Sequence, residues 1–233
     1  MNTQFSRTEL IYGDLTPLKE ARVIVFGIGG VGGHCIEALV RAGIGSIDIV
    51  DHDIVSESNL NRQLIATHST IGRDKVEVMK ERLVDINPEV NIHTYKCFYL
   101  PETKAIFDLS QYDYIVDAID TVTAKLQLIE EANKTHTPII SCMGTGNKIE
   151  PTLLEIDDIY NTSVCPLARV MRRELRKRGI KQLNVVYSRE EPHHNVIQED
   201  HRRAIPGSTP FVPACAGIIM ASKVINDILK AAD

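Results

Sequence analysis

RVIVFGIGGVGGHCIEALVRAG, residues 22 to 43, decides how the rest of the chain is read. RVIVF is short, apolar and rich in β-branched residues, glycines interrupt it, and HCIEALVRAG spaces its apolar residues as a helix does. The order is strand, glycine turn, helix. Gly27, Gly29 and Gly32, with Gly30 between them, satisfy G-x-G-x-x-G in the one context that gives this pattern weight. Without side chains the turn can be tight, and the helix N-terminus can approach a phosphate or an adenosine. Glycines here can also serve close strand–helix packing alone.

The same alternation continues downstream. SIDIVD (46 to 51) reads as a second strand, GRDKVEVMKERLVDIN (72 to 87) as a helix ending before Pro88, and NIHTYKCF as a third strand. YDYIVDAID (112 to 120), a helix over TAKLQLIEEANKTH and PIISCMG (138 to 144) complete the series. Such a series predicts an α/β fold with a doubly wound, mostly parallel, Rossmann-like sheet. After Gly146, NKIEPTLLEID reads as an antiparallel strand pair or an edge strand bent at Pro151, followed by a basic helix and the strand LNVVYS. Residues 191 to 209 lack periodicity and read as a loop. ACAGIIMASKVINDILK resumes a helix, with Ile218, Ala221, Ile225 and Ile228 expected to face the sheet. One domain over 1–233, with an antiparallel extension at 147–213 within it, is the expected organisation.

Composition narrows the function classes. The chain has 233 residues, five cysteines without a C-x-x-C pair and a net charge of -5. That cysteine pattern fits neither a disulfide framework nor structural zinc, and predicts a reduced, cytoplasmic setting. No signal-peptide stretch opens the chain, and the apolar runs near its C-terminus read as too short for a bilayer, so no membrane partner is expected. The acidic balance excludes a uniformly basic nucleic-acid binder, yet Arg169 to Lys181 holds seven cations against one acid. Within it Arg169, Arg172, Arg173 and Arg176, with Lys177 behind them, recur at helical spacing and predict a stripe able to grip a phosphate array such as a tRNA backbone. A solvated helix face is the alternative.

DHDIVSESNLNRQ, residues 51 to 63, sharpens the ligand. Asp51 ends the second strand nineteen residues after Gly32, where a carboxylate can accept both ribose hydroxyls. A redox dinucleotide has no need of cations just beyond the ribose, whereas a triphosphate does. Asn59, Arg62 and Gln63 can meet its oxygens, and Lys75 can add a second charge. Alternatively Arg62 pairs with Asp53 on the surface, and Lys75 is a solvated helix residue. Asp120 ends a buried strand at the ligand-binding edge and can hold Mg²⁺, or cap the following helix. Cys165 and Cys215 invite a covalent or sulfur-transfer reading, and His193, His194 and His201 a metal. Buried cysteines and loop histidines commonly have neither role.

G-I-G-G-V-G, D-H-D-I-V-S-x-S-N-L-N-R-Q, G-R-D-K-V-E and D-A-I-D, in this order and spacing, resemble the ubiquitin-activating-enzyme-like (ThiF/MoeB/HesA) adenylating family. The resemblance covers roughly residues 5 to 150 and the final helix. It implies an enzyme that transfers AMP from ATP to a carboxylate. Asp51, with Asp53 and the glycines beside it, would hold the nucleotide, Arg62 and Lys75 the phosphates, and Asp120 the magnesium. Asn59 and Gln63 fall in the same motif. Arg7 matches an N-terminal arginine that in this family reaches the neighbouring subunit's ATP, which implies a homodimer. DIYNTSVCPLARVMRRELRKRGI, VVYSRE and GSTPFVPACAG further resemble the threonylcarbamoyladenosine-dehydratase branch, which closes the N6-threonylcarbamoyladenosine of tRNA position 37 into a cyclic form with net loss of water. ATP, Mg²⁺ and such a tRNA are the implied cofactors and partner. A monovalent cation and a cysteine-desulfurase or sulfur-relay partner are further candidates. Activation of a small sulfur-carrier protein, an NAD-dependent oxidoreductase and a non-catalytic nucleotide-gated RNA-binding module are the competing readings.

Overall fold

Among the described residues seven short strands lie in one sheet: β1 (Arg22–Phe26), β2 (Ser46–Val50), β3 (Asn91–Tyr95), β4 (Tyr114–Asp117), β5 (Ile139–Cys142), β6 (Leu154–Asp158) and β7 (Asn184–Ser188). The computed structural model describes residues 3–193 and 206–232. Strand order is β3-β2-β1-β4-β5-β7-β6, and only the β6–β7 pair is antiparallel. The helices are α1 (Ser6–Tyr12), α2 (Thr16–Glu20), α3 (Gly32–Ala42), α4 (Lys75–Ile86), α5 (Val122–Thr135), α6 (Pro166–Lys177) and α7 (Phe211–Ala232).

The strand–helix series falls where hydrophobic periodicity placed it, with ends trimmed. The second βα connection is the clearest case. Gly72 is left-handed at φ 85°, so the chain turns there and α4 begins only at Lys75, behind Asp74. NKIEPTLLEID forms an edge strand, not a strand pair. Pro151, which has no N–H for a ladder, opens a single 3₁₀ turn ahead of β6.

Strand order reverses between β1 and β4, which opens a crevice beyond their carboxyl ends. One sheet face packs Val23, Val25, Ile47 and Ile49 against Ile36 and Leu39 of α3 and Met220 and Val224 of α7. The other packs Ile24 and Phe26 on Tyr99, Phe107 and Leu128. Under α6 a separate cluster joins Met171 and Leu175 to Ile129, Val185 and Tyr187.

Helix α7 departs from expectation twice. Its 22 residues make it long and apolar enough to cross a membrane by length and composition, more than the sequence reading allowed. In this fold it lies along α3 and the sheet. Its inward stripe also differs: Ala216, Gly217, Met220, Ala221, Val224 and Ile225 are buried, while Ile218 is 52% exposed. Gly217 sets that rotation. A Cβ there would stand 2.2 Å from the Val31 carbonyl oxygen and 3.0 Å from the Cys35 nitrogen, so α7 touches α3 backbone to backbone. Gly217→Ala is expected to destabilise the fold by about 1–3 kcal/mol, the usual cost of overpacking. Thermal denaturation checks this, at about 2–4 °C of Tm per kcal/mol for a chain of this size.

Candidate nucleotide and phosphate site

The crevice at the strand reversal is a cavity of about 670 Å³, within the range of small-molecule sites. Its floor is the glycine turn. Gly27 sits at φ 96°, and a Cβ on it would meet the Ala118 carbonyl oxygen at 2.7 Å. A Cβ on Gly32 would lie 1.8 Å from the Gly27 oxygen, so the turn closes only with both side chains missing. Gly29 and Gly30 line the cavity between them.

Asp51 leaves β2 with its carboxylate already engaged. Oδ2 accepts the Ile28 N–H at 2.6 Å and Oδ1 the Asp53 N–H at 2.8 Å. Each oxygen keeps a lone pair, so the group is oriented without being consumed and can still accept hydroxyls. Next to it the Lys75 ammonium is buried and pairs with Asp53 at 2.9 Å, while the other Asp53 oxygen meets His52 Nε2 at 2.8 Å. Lys75 is therefore not a solvated helix residue, and the partner of Asp53 is Lys75, not Arg62. Arg62 donates through Nη1 to the Ser58 carbonyl at 2.8 Å and to Asn61 Oδ1 at 2.9 Å, and lines the cavity.

Gln63 and Asn59 are buried on the same wall. Asn59 Oδ1 accepts the Ser56 N–H at 3.1 Å and closes a capping box, whereas Gln63 Oε1 is buried without a hydrogen-bond partner. An orphaned buried acceptor in a residue that lines a cavity calls for a donor. Asp120 is exposed at the cavity mouth. The N-cap of α5 is Thr121 and no side chain caps that helix, so the capping alternative for Asp120 does not apply. Among the described residues its carboxylate accepts only from Thr121 Oγ1 at 3.2 Å, which leaves it able to meet a hard cation.

Several cavity residues escaped sequence reasoning. Phe98 stacks on His52 with ring centroids 3.1 Å apart, and with Cys97, Tyr99 and Leu100 makes the outer wall. Cys142 to Gly146 and Pro206 to Ser208 close the far side. Burial raises both cavity thiols, Cys97 above its ordinary value and Cys142 up to about 12. Neither is a thiolate at neutral pH. All five cysteines are free, and Cys165 is buried at the start of α6. Asp117 and Lys125 were also missed. Both are fully buried, 2.9 Å apart, with Ser141 Oγ donating to the same carboxylate and the Lys125 ammonium also reaching the Ile119 carbonyl at 3.0 Å. The network holds the turn that carries Asp120. D-A-I-D contained the signal, but only its second acid was read.

Arg7 lies elsewhere, exposed on α1, a helix with no buried residue that presents Leu10 and Ile11 at 86% and 80% exposure. On α6, Arg169, Arg173, Arg176 and Lys177 are exposed, and the Arg176 guanidinium sits 5.1 Å from the Tyr160 ring centroid. Arg172 does not share their face. It is half-buried and donates to the Thr162 carbonyl at 2.8 Å and to the Thr162 hydroxyl, which ties α6 to the preceding turn. Ala168, Met171 and Leu175 form the inward face, with Leu167 and Val170 only half-buried beside it. Leu167 lines the cavity, so the basic stripe starts at its rim. Of the three loop histidines, His193 bonds Glu190 at 3.0 Å, and His194 and His201 lie outside the described residues.

A ThiF family profile matches residues 3–232. The chain belongs to the ThiF family. Within it, a Bacillus subtilis protein named tRNA threonylcarbamoyladenosine dehydratase is 44% identical over 243 residues, covering 97% of this chain and 95% of its own. The Escherichia coli tRNA N6-threonylcarbamoyladenosine dehydratase, TcdA, in complex with ATP matches with a TM-score of 0.90 at 32% identity, over 98% of this chain and 95% of that one. The AMP complex of the same enzyme gives 0.90 at 33%.

In this ThiF-family frame the Asp117–Lys125 pair supports the site from behind. Lys125→Met should cost about 3–5 kcal/mol by leaving the Asp117 carboxylate buried and unpaired. The double variant Asp117→Asn/Lys125→Met should recover part of that loss, and denaturant unfolding of the parent, the two single variants and the double variant measures it. An additive double variant would rule out the coupling.

Proposed function

We propose that this chain is an ATP-dependent dehydratase of tRNA that activates the free carboxylate of N6-threonylcarbamoyladenosine at position 37 by adenylation and cyclises it with net loss of water. One observation carries the reading: a buried lysine and a half-buried arginine flank a glycine turn and a ribose-oriented aspartate in one cavity. Nicotinamide chemistry has no use for that pair of cations. The ThiF-family membership, the dehydratase relatives and the ATP and AMP complexes of the E. coli enzyme support the same choice.

The roles follow from chemistry. A carboxylate oxygen leaves poorly. Attack by the carboxylate on the α-phosphate of ATP expels pyrophosphate and gives a mixed anhydride. A nucleophilic atom of the same threonylcarbamoyl group then attacks the acyl carbon, loses its proton and expels AMP. The second step is intramolecular, worth an effective concentration on the order of 10⁵ M or more when well aligned. No enzyme nucleophile is needed, which suits a cavity whose thiols are held protonated. Asp51 takes the ribose, Arg62 and Lys75 the phosphates, and Gln63 offers its unpartnered oxygen to a donor on the substrate. The free Asp120 carboxylate fits Mg²⁺, which when bound offsets phosphate charge. A monovalent cation is a further candidate near the phosphates.

Arg7 on α1, which exposes Leu10 and Ile11, is assigned to the ATP of a second copy, in a homodimer. Arg169, Arg173, Arg176 and Lys177 are assigned to tRNA phosphates, with residues 147–213 as the substrate side of one nucleotide-binding domain. A tRNA substrate and five free thiols support a cytoplasmic home. Activation of a carrier protein through a sulfur-relay partner is the second reading; the raised Cys97 and Cys142 thiols weigh against it.

Incubation with ATP, Mg²⁺ and tRNA bearing the threonylcarbamoyl group should lower the mass of that nucleoside by one water, read by mass spectrometry. Arg62→Ala and Asp120→Ala should each slow this by about 10²-fold or more, the usual scale for removing a group that stabilises transition-state charge. An unchanged nucleoside, with AMP on a carrier protein instead, would select the second reading. The stripe gives a separate outcome. Hydrogen bonds from Lys177, Arg178 and Arg173 pull the Glu174 carboxyl down to about 2, so it is anionic at neutral pH and draws those cations back. Glu174→Gln should therefore tighten tRNA binding and steepen its salt dependence, measured by filter binding across a salt series.

A further inference from the structure

Pro206, Gly207 and Ser208 form a wall of the nucleotide cavity, and two asparagines hold that wall. Asn147, in the left-handed region at φ 57°, donates its N–H to the Gly207 carbonyl at 2.7 Å and accepts the Gly207 N–H on Oδ1 at 2.6 Å. Its own carbonyl accepts the His193 N–H at 2.8 Å. From the opposite side Asn61 Nδ2 donates to the Ser208 carbonyl at 3.1 Å. Nothing else among the described residues hydrogen-bonds to Pro206–Thr209, and Thr209 Oγ1 is buried without a partner. The wall is thus held by two residues, Asn147 through backbone and side chain and Asn61 through its side chain alone, and Asn61 has a second duty. The Oδ1 of Asn61 accepts from Arg62 Nη1 at 2.9 Å. One planar amide spans the gap between the cavity wall and the arginine assigned to phosphate.

We infer that Asn61 is a positioning residue that couples Arg62 to the 206–208 wall, and that with Asn147 it keeps water off the activated carboxylate. The inference rests on the proposed dehydratase reaction. The mixed anhydride has two fates: internal attack gives the cyclic nucleoside and AMP, while attack by water on the acyl carbon regenerates the carboxylate and releases AMP without product. A docked wall excludes the second route. The two asparagines are separable. Asn61→Asp replaces the donor to Ser208 with an oxygen that repels its carbonyl and gives Arg62 a charged acceptor in place of a neutral one. Asn61→Ala removes both ends. Asn147→Ala loosens the wall from the other side and leaves Arg62 alone.

The test is the ratio of AMP released to cyclic nucleoside formed, with the KM for ATP, in the parent chain and the three variants. Asn147→Ala should raise the ratio about fivefold, the factor one neutral hydrogen bond is worth, with an unchanged KM for ATP; Asn61→Asp should raise the ratio and also the KM, because a carboxylate beside Arg62 offsets the charge that meets phosphate. Asn61→Ala should raise both. Loss of fold alone lowers AMP and product together and leaves the ratio fixed, so a fixed ratio in Asn61→Asp and Asn147→Ala overturns the inference. Hydrogen exchange at the Gly207 amide gives an answer independent of the reaction. Protection should fall in Asn147→Ala and in Asn61→Asp, while the β1 and β4 amides keep theirs. Full protection in Asn61→Asp would show that this residue does not hold the wall. A parent chain that forms no cyclic nucleoside defeats the proposed reaction, and the exchange result then still decides whether Asn61 holds the wall.

Discussion

The contact between the glycine turn and the end of β4 is the constraint on which the site depends. Gly27 has the Ala118 carbonyl where a side chain would be, and Gly32 has the Gly27 carbonyl. Backbone lies on backbone at the point where the strand order reverses. That contact fixes the start of α3 against β1 and brings Asp51, at the end of the neighbouring strand, within 2.6 Å of the Ile28 N–H. A Cβ at either glycine would part the two halves of the sheet edge, and the crevice would lose its floor. The conformational freedom of glycine is therefore spent here on proximity more than on flexibility.

Charge is arranged in layers around that floor. Deepest is the Asp117–Lys125 pair, excluded from solvent and unable to meet a ligand, which holds the turn bearing Asp120. Above it Lys75 is buried against a half-exposed Asp53. At an effective dielectric of about 20 the attraction within each pair is a few kcal/mol, and it is largely offset by the cost of taking the charges out of water. A polyphosphate entering the cavity thus finds a lysine already desolvated and fixed in direction, with little left to reorganise. Arg62 is less committed, bound by one nitrogen to a carbonyl and an amide, both neutral. Neutral acceptors orient a guanidinium without cancelling its charge.

How much of this the sequence disclosed follows from range. Strand, turn and helix are local patterns, so the β1–Gly27–α3 unit and its successors could be read directly, as could Arg62 and Lys75, whose motif is contiguous with the turn after β2. Pairings across the fold could not. Asp117 and Lys125 sit on a strand and the next helix, and nothing in either residue announces the other. Arg172 shares helical spacing with Arg169 and Arg176, yet Thr162, in the preceding turn, draws it inward. The rotation of α7 that exposes Ile218 is set by the missing Cβ of Gly217 against α3, a contact between segments far apart in the chain. Asn61 and Ser208 are 147 residues apart. Composition and periodicity carry no term for such distances.

The charges proposed for tRNA binding and those proposed for chemistry also lie apart in space. Leu167 touches the cavity and Lys177 ends the same helix, so the basic stripe runs about 15 Å away from the rim. That exceeds the Debye length of about 8 Å at physiological ionic strength. Cations at the far end of α6 would therefore add little to the potential at phosphates in the cavity, and Arg62 and Lys75 would add little to a grip by that stripe on a distant backbone. Under the proposed roles, the stripe would tune affinity and salt response while the cavity sets the rate. A chain with a net charge of -5 would then meet two polyanions, each at its own local excess of cations.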